Sequence, residues 1–173
     1  MLTLLATLMA GAGLVLAALA AYVAWRRGTQ MGWSLAVLLV AVAWWGTAYA
    51  VELSVDDIAM KSRWGDLKYV GIVTLAPAWM VFVLQYTGRA QLVTRRLVTL
   101  LAVPPVVALT VLAVPATHDL VRYYPATARA EELPIVETGP AFWAIFAYNN
   151  LLLVGATVLF VASMVRLART YRR

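Results

Sequence analysis

Five apolar stretches, each close to the length needed to cross a membrane, limit how this chain can fold. We place the predicted helices at residues 3–25, 32–53, 67–87, 97–115 and 141–165. A membrane helix needs about 20 apolar residues to cross about 30 Å of hydrocarbon. The chain is 64% hydrophobic and only 13% charged, whereas about a quarter of the residues in a soluble domain are charged. The sequence therefore predicts an all-α, polytopic transmembrane helix bundle with five spans, forming one domain over residues 1–173.

The charged residues divide between the two ends of these predicted helices. All eight acidic residues lie within segments 52–68 and 116–140. They are Glu52, Asp56, Asp57, Asp66, Asp119, Glu131, Glu132 and Glu137. Segments 26–30, 88–96 and 166–173 contain no acid and hold nine of the fourteen basic residues. Because short basic loops remain in the cytoplasm, we expect the N-terminus outside, the C-terminus cytoplasmic, and a multi-pass protein of the cell inner (plasma) membrane.

The first apolar stretch predicts a retained membrane anchor. It is longer than an ordinary signal-peptide core, no basic residue precedes it, and Arg26-Arg27 follows it. Small residues recur at helical spacing between Gly13 and Ala24, and such residues allow neighbouring helices to approach closely in lipid. An alanine-rich span without a specific partner is the alternative interpretation.

Segment 116–140 is the long connection at the predicted outer end, and we expect it to form an external lid. It contains Pro125, Pro134 and the pair Gly139-Pro140, which are residues typical of loops. Two short runs inside it, 120–124 and 133–136, predict short strands.

The third predicted helix carries a stripe of side chains at alternating steps of four and three residues, which places them on one face. The stripe consists of Lys68, Ile72, Leu75, Trp79, Phe82 and Tyr86. The second helix offers Trp45, Tyr49 and Glu52 as a facing set. We expect Glu52 and Lys68 to form an ion pair at the outer end. For the deeper aromatic residues, packing within the bundle and a ligand pocket both stay open.

The fifth predicted helix places polar side chains within the membrane. It begins with Phe142-Trp143 and continues through Tyr148, Asn149 and Asn150, with Asn150 on the same face as Trp143. An amide in hydrocarbon is unfavourable unless it is hydrogen-bonded. These amides therefore indicate either a functional site or a bond to a neighbouring helix.

The sequence contains no pattern that indicates catalysis. There is no Ser/His/Asp arrangement, phosphate-binding glycine loop or cluster of metal ligands, and the absence of cysteine excludes thiolate chemistry. For His118, the one histidine, we expect capping or hydrogen bonding, with metal binding or pH sensing as the alternative. We expect no cofactor and no metal. Nucleic acid is not an expected partner, because the basic residues cap helix ends and form no groove-reading face.

Several short motifs resemble the N-terminal seven-helix membrane region of bacterial and archaeal histidine kinases. They are Leu67-Lys68-Tyr69-Val70-Gly71-Ile72, Pro77-Ala78-Trp79 with Phe82, Gln85-Tyr86-Thr87-Gly88, Trp44 through Leu53, Lys61 with Trp64, Thr117-His118-Asp119-Leu120, and Gly139-Pro140-Ala141-Phe142-Trp143 with Tyr148. Their order and spacing carry the resemblance across about residues 10–173. The resemblance implies a sensory input module that passes a conformational signal to a cytoplasmic kinase, cyclase or phosphatase. It also implies seven helices, whereas we find five, so a truncated seven-helix domain, a split gene product and a free-standing five-helix protein all stay open.

We expect an outward-opening pocket between the second, third and fifth helices to bind a small external or membrane-borne ligand. The candidate ligand-binding residues are Trp45, Tyr49, Glu52, Lys68, Trp79, Tyr86, His118, Trp143, Tyr148 and Asn150. The expected partners are the lipid bilayer, an unidentified small ligand, and a kinase or cyclase output module that acts in trans or was lost by truncation. Association with a second copy of the chain stays open.

Two other classes of protein compete with the sensor interpretation. One is a five-helix protein that binds or transports a tetrapyrrole or lipid-like molecule, similar to the tryptophan-rich sensory proteins; the helix number and seven tryptophans fit it. Transport calls for acidic residues within the membrane, and none lies clearly at the middle of a predicted span. The other class is a structural membrane subunit in which the aromatic stripes serve only packing.

Overall fold

The computed structural model describes residues 2–26, 29–123 and 137–171. The long helices are α1 (Leu2–Arg26), α2 (Gln30–Ser54), α3 (Ile58–Tyr86), α4 (Arg95–Ala113) and α5 (Pro140–Tyr171). Short 3₁₀ turns lie at Ala90–Leu92 and His118–Leu120, and the strands β1 (Arg122–Tyr123) and β2 (Glu137–Thr138) pair antiparallel. All five helices are long and apolar enough to cross a membrane. The predicted all-α bundle of five spans is confirmed, and the chain is a multi-pass membrane protein.

Helix α3 begins well before the predicted start near residue 67. The side chain of Asp57 accepts a hydrogen bond of 2.8 Å from the backbone N–H of Met60, which caps the helix and lets it start at Ile58. The charged residues Lys61 and Asp66 therefore lie on α3 itself and not in a loop. At the other end of the chain, α5 continues beyond the predicted residue 165, to Tyr171.

The turn between α3 and α4 depends on Gly88, whose φ of +76° lies in the left-handed region that favours glycine. The N–H of Arg89 reaches back to the carbonyl of Leu84 at 2.8 Å, and the N–H of Gly88 to that of Gln85 at 3.3 Å. This pair of bonds is a Schellman motif, which satisfies carbonyl groups that the end of the helix leaves open. Thr94 then caps α4 by accepting from the N–H of Leu97.

Helix α3 is central in the bundle, because it contacts α2, α4 and α5. It approaches α2 closely at Gly71, where an added Cβ would lie 2.5 Å from the carbonyl oxygen of Ala41. The indole N–H of Trp44 also donates to the carbonyl of Leu67 across this interface, at 2.7 Å. On the other side of α2, Gly13 of α1 packs against Thr47. The predicted close approach of α1 through small residues is therefore confirmed at Gly13.

The predicted outer segment is described only in part. Strand β1 falls within the predicted run 120–124. The predicted run 133–136 lies outside the described residues, and so does most of the predicted lid 116–140, because residues 124–136 are not described. The described parts of this segment meet the end of the bundle where α2 finishes and α3 begins. Contacts such as that between His118 and Asp66 show this arrangement directly. The two acidic segments of the sequence thus come together at one end of the structure.

Candidate functional site

A group of buried and half-buried charged side chains joins α2, α3 and the segment that follows α4, and we call it the ion cluster. It consists of Glu52, Asp66, Lys68, His118 and Arg122.

The predicted pair of Glu52 and Lys68 lies at the centre of the ion cluster. Glu52, near the end of α2, is completely buried, and the Nζ atom of Lys68 on α3 lies 2.5 Å from its carboxylate. The same ammonium group lies 4.8 Å from the centre of the Tyr49 ring, which is a cation–π distance. The expected ion pair is confirmed, and Tyr49 contacts it as the facing set predicted.

Arg122 enters the ion cluster from β1 and is buried to the same extent as a core residue, with 1% of its surface exposed. Its Nη2 atom lies 3.5 Å from the Glu52 carboxylate, and its Nη1 atom lies 3.6 Å from the Asp66 carboxylate. Gly65 makes room for this guanidinium, because an added Cβ there would lie 2.0 Å from Nη1. Arg122 was not among the residues predicted from the sequence. The available signal was a single arginine between Val121 and Tyr123 inside a predicted strand.

His118 forms the second contact between this segment and α3. Its Nε2 atom lies 3.1 Å from both carboxylate oxygens of Asp66, and its Nδ1 atom lies 3.4 Å from Asp119. The expected hydrogen-bonding role of His118 is confirmed. His118 and Arg122 therefore both contact the Asp66 carboxylate. Through these two side chains, the segment after α4 is attached to α3.

Two apolar cavities lie on either side of α5, further along the bundle. The α2 cavity, between α2, α3 and α5, has a volume of about 230 Å³. The α4 cavity, between α3, α4 and α5, has a volume of about 180 Å³. Ile145 and Asn149 line both of them. The α2 cavity lies between the same three helices as the pocket predicted from the sequence, but only two of the ten candidate residues, Trp45 and Asn150, line it.

The two adjacent amides of α5 have different surroundings. Asn149 is buried, and its Oδ1 atom has no hydrogen-bond partner within the described residues. Asn150 is exposed, and its Nδ2 atom donates to the carbonyl of Phe146 in the same helix at 2.8 Å. Sequence reasoning selected Asn150, whereas the buried amide is its neighbour. The signal for Asn149 is its spacing of four residues from Ile145 and eight from Ala141, which puts it on the face that packs in the bundle.

Other candidate residues pack between helices away from the ion cluster. Trp79 stacks on Phe82 with ring centres 5.7 Å apart, and both Trp79 and Tyr86 contact Phe160 of α5. The indole N–H of Trp79 donates to the Thr157 hydroxyl at 3.3 Å. This part of the stripe serves the contact between α3 and α5.

The ten candidate residues do not converge on one pocket. Trp143 is 60% exposed and packs against Phe142 and Phe146 of its own helix. The hydroxyl of Tyr148 donates to the carbonyl of Leu101 on α4 at 2.7 Å. The structure instead separates the set into the ion cluster, the α2 cavity, and contacts between helices.

Comparison with known proteins identifies the family. Residues 8–173 match a family described as the N-terminal 7TM region of histidine kinase. No curated protein and no solved structure matches the chain. The match covers nearly the whole chain, and it favours the sensor interpretation over a tryptophan-rich transporter or a structural subunit. The family comprises the sensory part of these kinases and not their catalytic core. This five-span chain therefore belongs to the family of N-terminal 7TM regions of histidine kinases, which are membrane sensory input modules.

Proposed function

We propose that the chain binds a ligand in the α2 cavity, which begins beside the ion cluster at Tyr69, and relays the change to a cytoplasmic kinase or cyclase. The observation that carries this proposal is the burial of Arg122 between Glu52 and Asp66. It connects a segment outside the helices to two membrane helices through a guanidinium and a Glu52 carboxylate that are almost fully removed from water, and through the partly exposed Asp66. Anything that displaces this segment must therefore disturb α2 and α3.

The charge distribution supports an orientation with the ion cluster outside the cell and the C-terminus in the cytoplasm. Acidic residues surround the ion cluster, whereas the opposite end of the bundle carries Arg26, Arg89, Arg95 and Arg166. Basic segments between spans favour the cytoplasmic side. In this orientation an external signal meets the ion cluster first.

Helix α3 provides a direct route from the ion cluster to the basic end. It stays helical from the residues around Asp66 to Tyr86, with Pro77 inside it. Just beyond its end, Arg89 donates to the hydroxyl of Ser163 on α5 at 3.1 Å. A tilt or axial shift of α3 would therefore change its position against α5 close to the basic end. A ligand produces such a shift only if it binds the two positions with unequal affinity.

The α2 cavity is the proposed ligand pocket of this module. Trp45, Asn149 and Asn150 line it together with aliphatic residues of α3. Pockets for small ligands commonly combine apolar walls with a few polar groups that orient the ligand. Because α2 and α3 also carry the ion cluster, occupancy of this cavity and the position of the outer segment would be coupled.

Spin labels at the basic end test the relay. The chain has no cysteine. A variant with one cysteine at each of the exposed positions Ala90 and Arg166 can therefore carry two spin labels at known sites in lipid nanodiscs. We expect Glu52→Gln, which weakens the buried contacts of Arg122 and Lys68, to shift the distance between the labels by about 1–2 Å, the scale of helix shifts in switching proteins.

Asp56→Asn provides the matched control, because Asp56 is an exposed acid at the same end of the bundle. It should leave the distance distribution unchanged. If Glu52→Gln retains the helical circular dichroism spectrum and gives the same distribution as the control, the ion cluster is a structural contact only and the relay proposal is wrong.

A further inference from the structure

The α4 cavity has the features of a second binding site. Its lining is apolar except for Tyr148 and Asn149. Its volume of about 180 Å³ is comparable to an apolar cavity of about 150 Å³ that admits benzene in another protein. Val107 forms part of the wall and is exposed, so a molecule dissolved in the lipid can reach the cavity from that side.

Asn149 gives the α4 cavity a hydrogen-bond acceptor that has no donor within the described residues. The residue is 8% exposed, and its Oδ1 atom is buried without a hydrogen-bond donor within the described residues. Leaving a buried acceptor unpaired is unfavourable. The neighbouring Asn150 donates a hydrogen bond from its amide to a carbonyl of its own helix. An amide on α5 can therefore be hydrogen-bonded within the helix, and the unpaired Oδ1 atom of Asn149 is specific to that residue.

The hydroxyl of Tyr148 cannot fill this role. Its proton is donated to the carbonyl of Leu101. That carbonyl would normally accept from the N–H of residue 105, but Pro105 has none. Tyr148 thus repairs a gap that the proline creates in α4, and only its oxygen, as an acceptor, remains available to the cavity.

From these contacts we infer that the α4 cavity binds the end of a small apolar molecule that carries one hydroxyl or N–H donor. The apolar part contacts Val73, Ala108 and Ile145, and the donor is directed to the Oδ1 atom of Asn149. Aliphatic alcohols and phenols that partition into lipid have this chemistry. The site shares Ile145 and Asn149 with the α2 cavity but is otherwise lined by different residues, and it does not depend on the relay proposed above.

Photolabelling of the whole chain in lipid nanodiscs tests this inference. The probe is octanol carrying a diazirine, and the cross-linked residues are mapped by mass spectrometry. We expect saturable labelling of residues that line the α4 cavity, such as Ala108 and Ala144, and competition by plain octanol. Dibutyl ether, which has no donor, should not compete at equal concentration in the membrane.

Two neighbouring substitutions separate the donor contact from general partitioning. Asn149→Leu should weaken saturable labelling about five-fold, which corresponds to about 1 kcal/mol for one net hydrogen bond. Asn150→Leu, which removes the exposed amide, should leave the labelling unchanged. The comparison of octanol with the ether uses the unaltered chain, so it stands even if a variant fails to fold.

Four results would each overturn the inference. Two concern where the label goes: labelling that does not saturate and spreads to the exposed Leu151 and Val154, and labelling confined to Trp45 and Leu75 of the α2 cavity. The other two are equal labelling of Asn149→Leu and the unaltered chain, and equal competition by ether and octanol. The spin-label measurement contains no added ligand, so these outcomes leave the relay proposal untouched.

Discussion

The guanidinium group of Arg122 lies 3.5 Å from the carboxylate of Glu52, and both side chains are almost fully removed from solvent. One residue belongs to a short strand after the fourth helix, and the other lies near the end of the second. Since a buried ion must be paired to be tolerated, this relationship holds the connecting segment in place. It also makes the segment sensitive to any change in α2.

Removal of Arg122 should destabilise the protein strongly. Arg122→Ala leaves the buried Glu52 and the half-buried Asp66 without one of their charge partners, and breaking a buried pair typically costs about 3–5 kcal/mol. Reversible unfolding in mixed micelles measures the loss. Arg63→Ala, at an exposed arginine of the same region, should change the free energy of unfolding by no more than about 0.5 kcal/mol. Equal losses for the two variants would show that burial of Arg122 contributes little.

A methyl group at Gly65 should displace Arg122. In Gly65→Ala the new Cβ would lie 2.0 Å from Nη1, and because the guanidinium is enclosed, it cannot move without losing its carboxylates. We expect a loss of about 1–3 kcal/mol, as for overpacking of an interior. Gly155→Ala is the control, because its nearest neighbour would be the Met80 methyl carbon at 3.9 Å. A Gly65→Ala protein as stable as this control would contradict the placement of Arg122.

The link between β1 and β2 should weaken in alkali. The Tyr123 hydroxyl donates to the Glu137 carboxylate, and this hydrogen bond, together with the charge of Glu137, raises the pKa of Tyr123 above its ordinary value. A raised tyrosine pKa favours the protonated form in the folded state. The contribution of this link is therefore present below the ordinary pKa of about 10 and is lost as pH rises through the raised value.

Ultraviolet difference titration of the unaltered chain against Tyr123→Phe measures this pKa. Glu137→Gln should lower the pKa of Tyr123 towards the ordinary tyrosine value. Asp119→Asn should lower it less, because Asp119 is the weakest of the contributing causes. A pKa that does not respond to Glu137→Gln would exclude the hydrogen bond.

The bond between Tyr148 and Leu101 should matter only while Pro105 is present. Tyr148→Phe removes the donor to the Leu101 carbonyl, and we expect a loss of about 0.5–1.5 kcal/mol. In a Pro105→Ala background the backbone N–H of residue 105 restores the partner within α4, so the same change should cost much less. A double-mutant cycle on unfolding free energies measures the coupling. Additive effects would show that the two residues act independently.

Local pattern was sufficient to predict the helices and the pair of Glu52 and Lys68. Apolar length identifies spans in a membrane because every backbone group must be satisfied within the helix. The pair was predictable because both residues were placed at the outer ends of facing predicted helices, although Lys68 proves to lie well inside α3. The start of α3 was missed, since the cap at Asp57 extends the helix through a charged segment that apolar length alone assigns to a loop.

Arg122 and Asn149 needed information that the sequence does not display locally. The burial of Arg122 depends on the space at Gly65 and on the return of a distant segment to the end of α3. Asn149 and Asn150 differ in direction by a rotation of about 100° around α5. Which of the two is buried depends on where α3 and α4 lie. Trp79 and Tyr86 illustrate the opposite error, because a stripe predicted as a pocket serves largely to pack α3 against α5.

Sidedness is the claim on which the sensory account depends, and cysteine labelling in cells tests it directly. Asp56 and Arg95 are both exposed, and they lie at opposite ends of the bundle. In single-cysteine variants, an impermeant maleimide should modify Asp56→Cys in intact cells or spheroplasts, and Arg95→Cys only after the membrane is permeabilised. Modification of both positions from the same side, or of Arg95→Cys alone in intact cells, would contradict an ion cluster that faces the exterior.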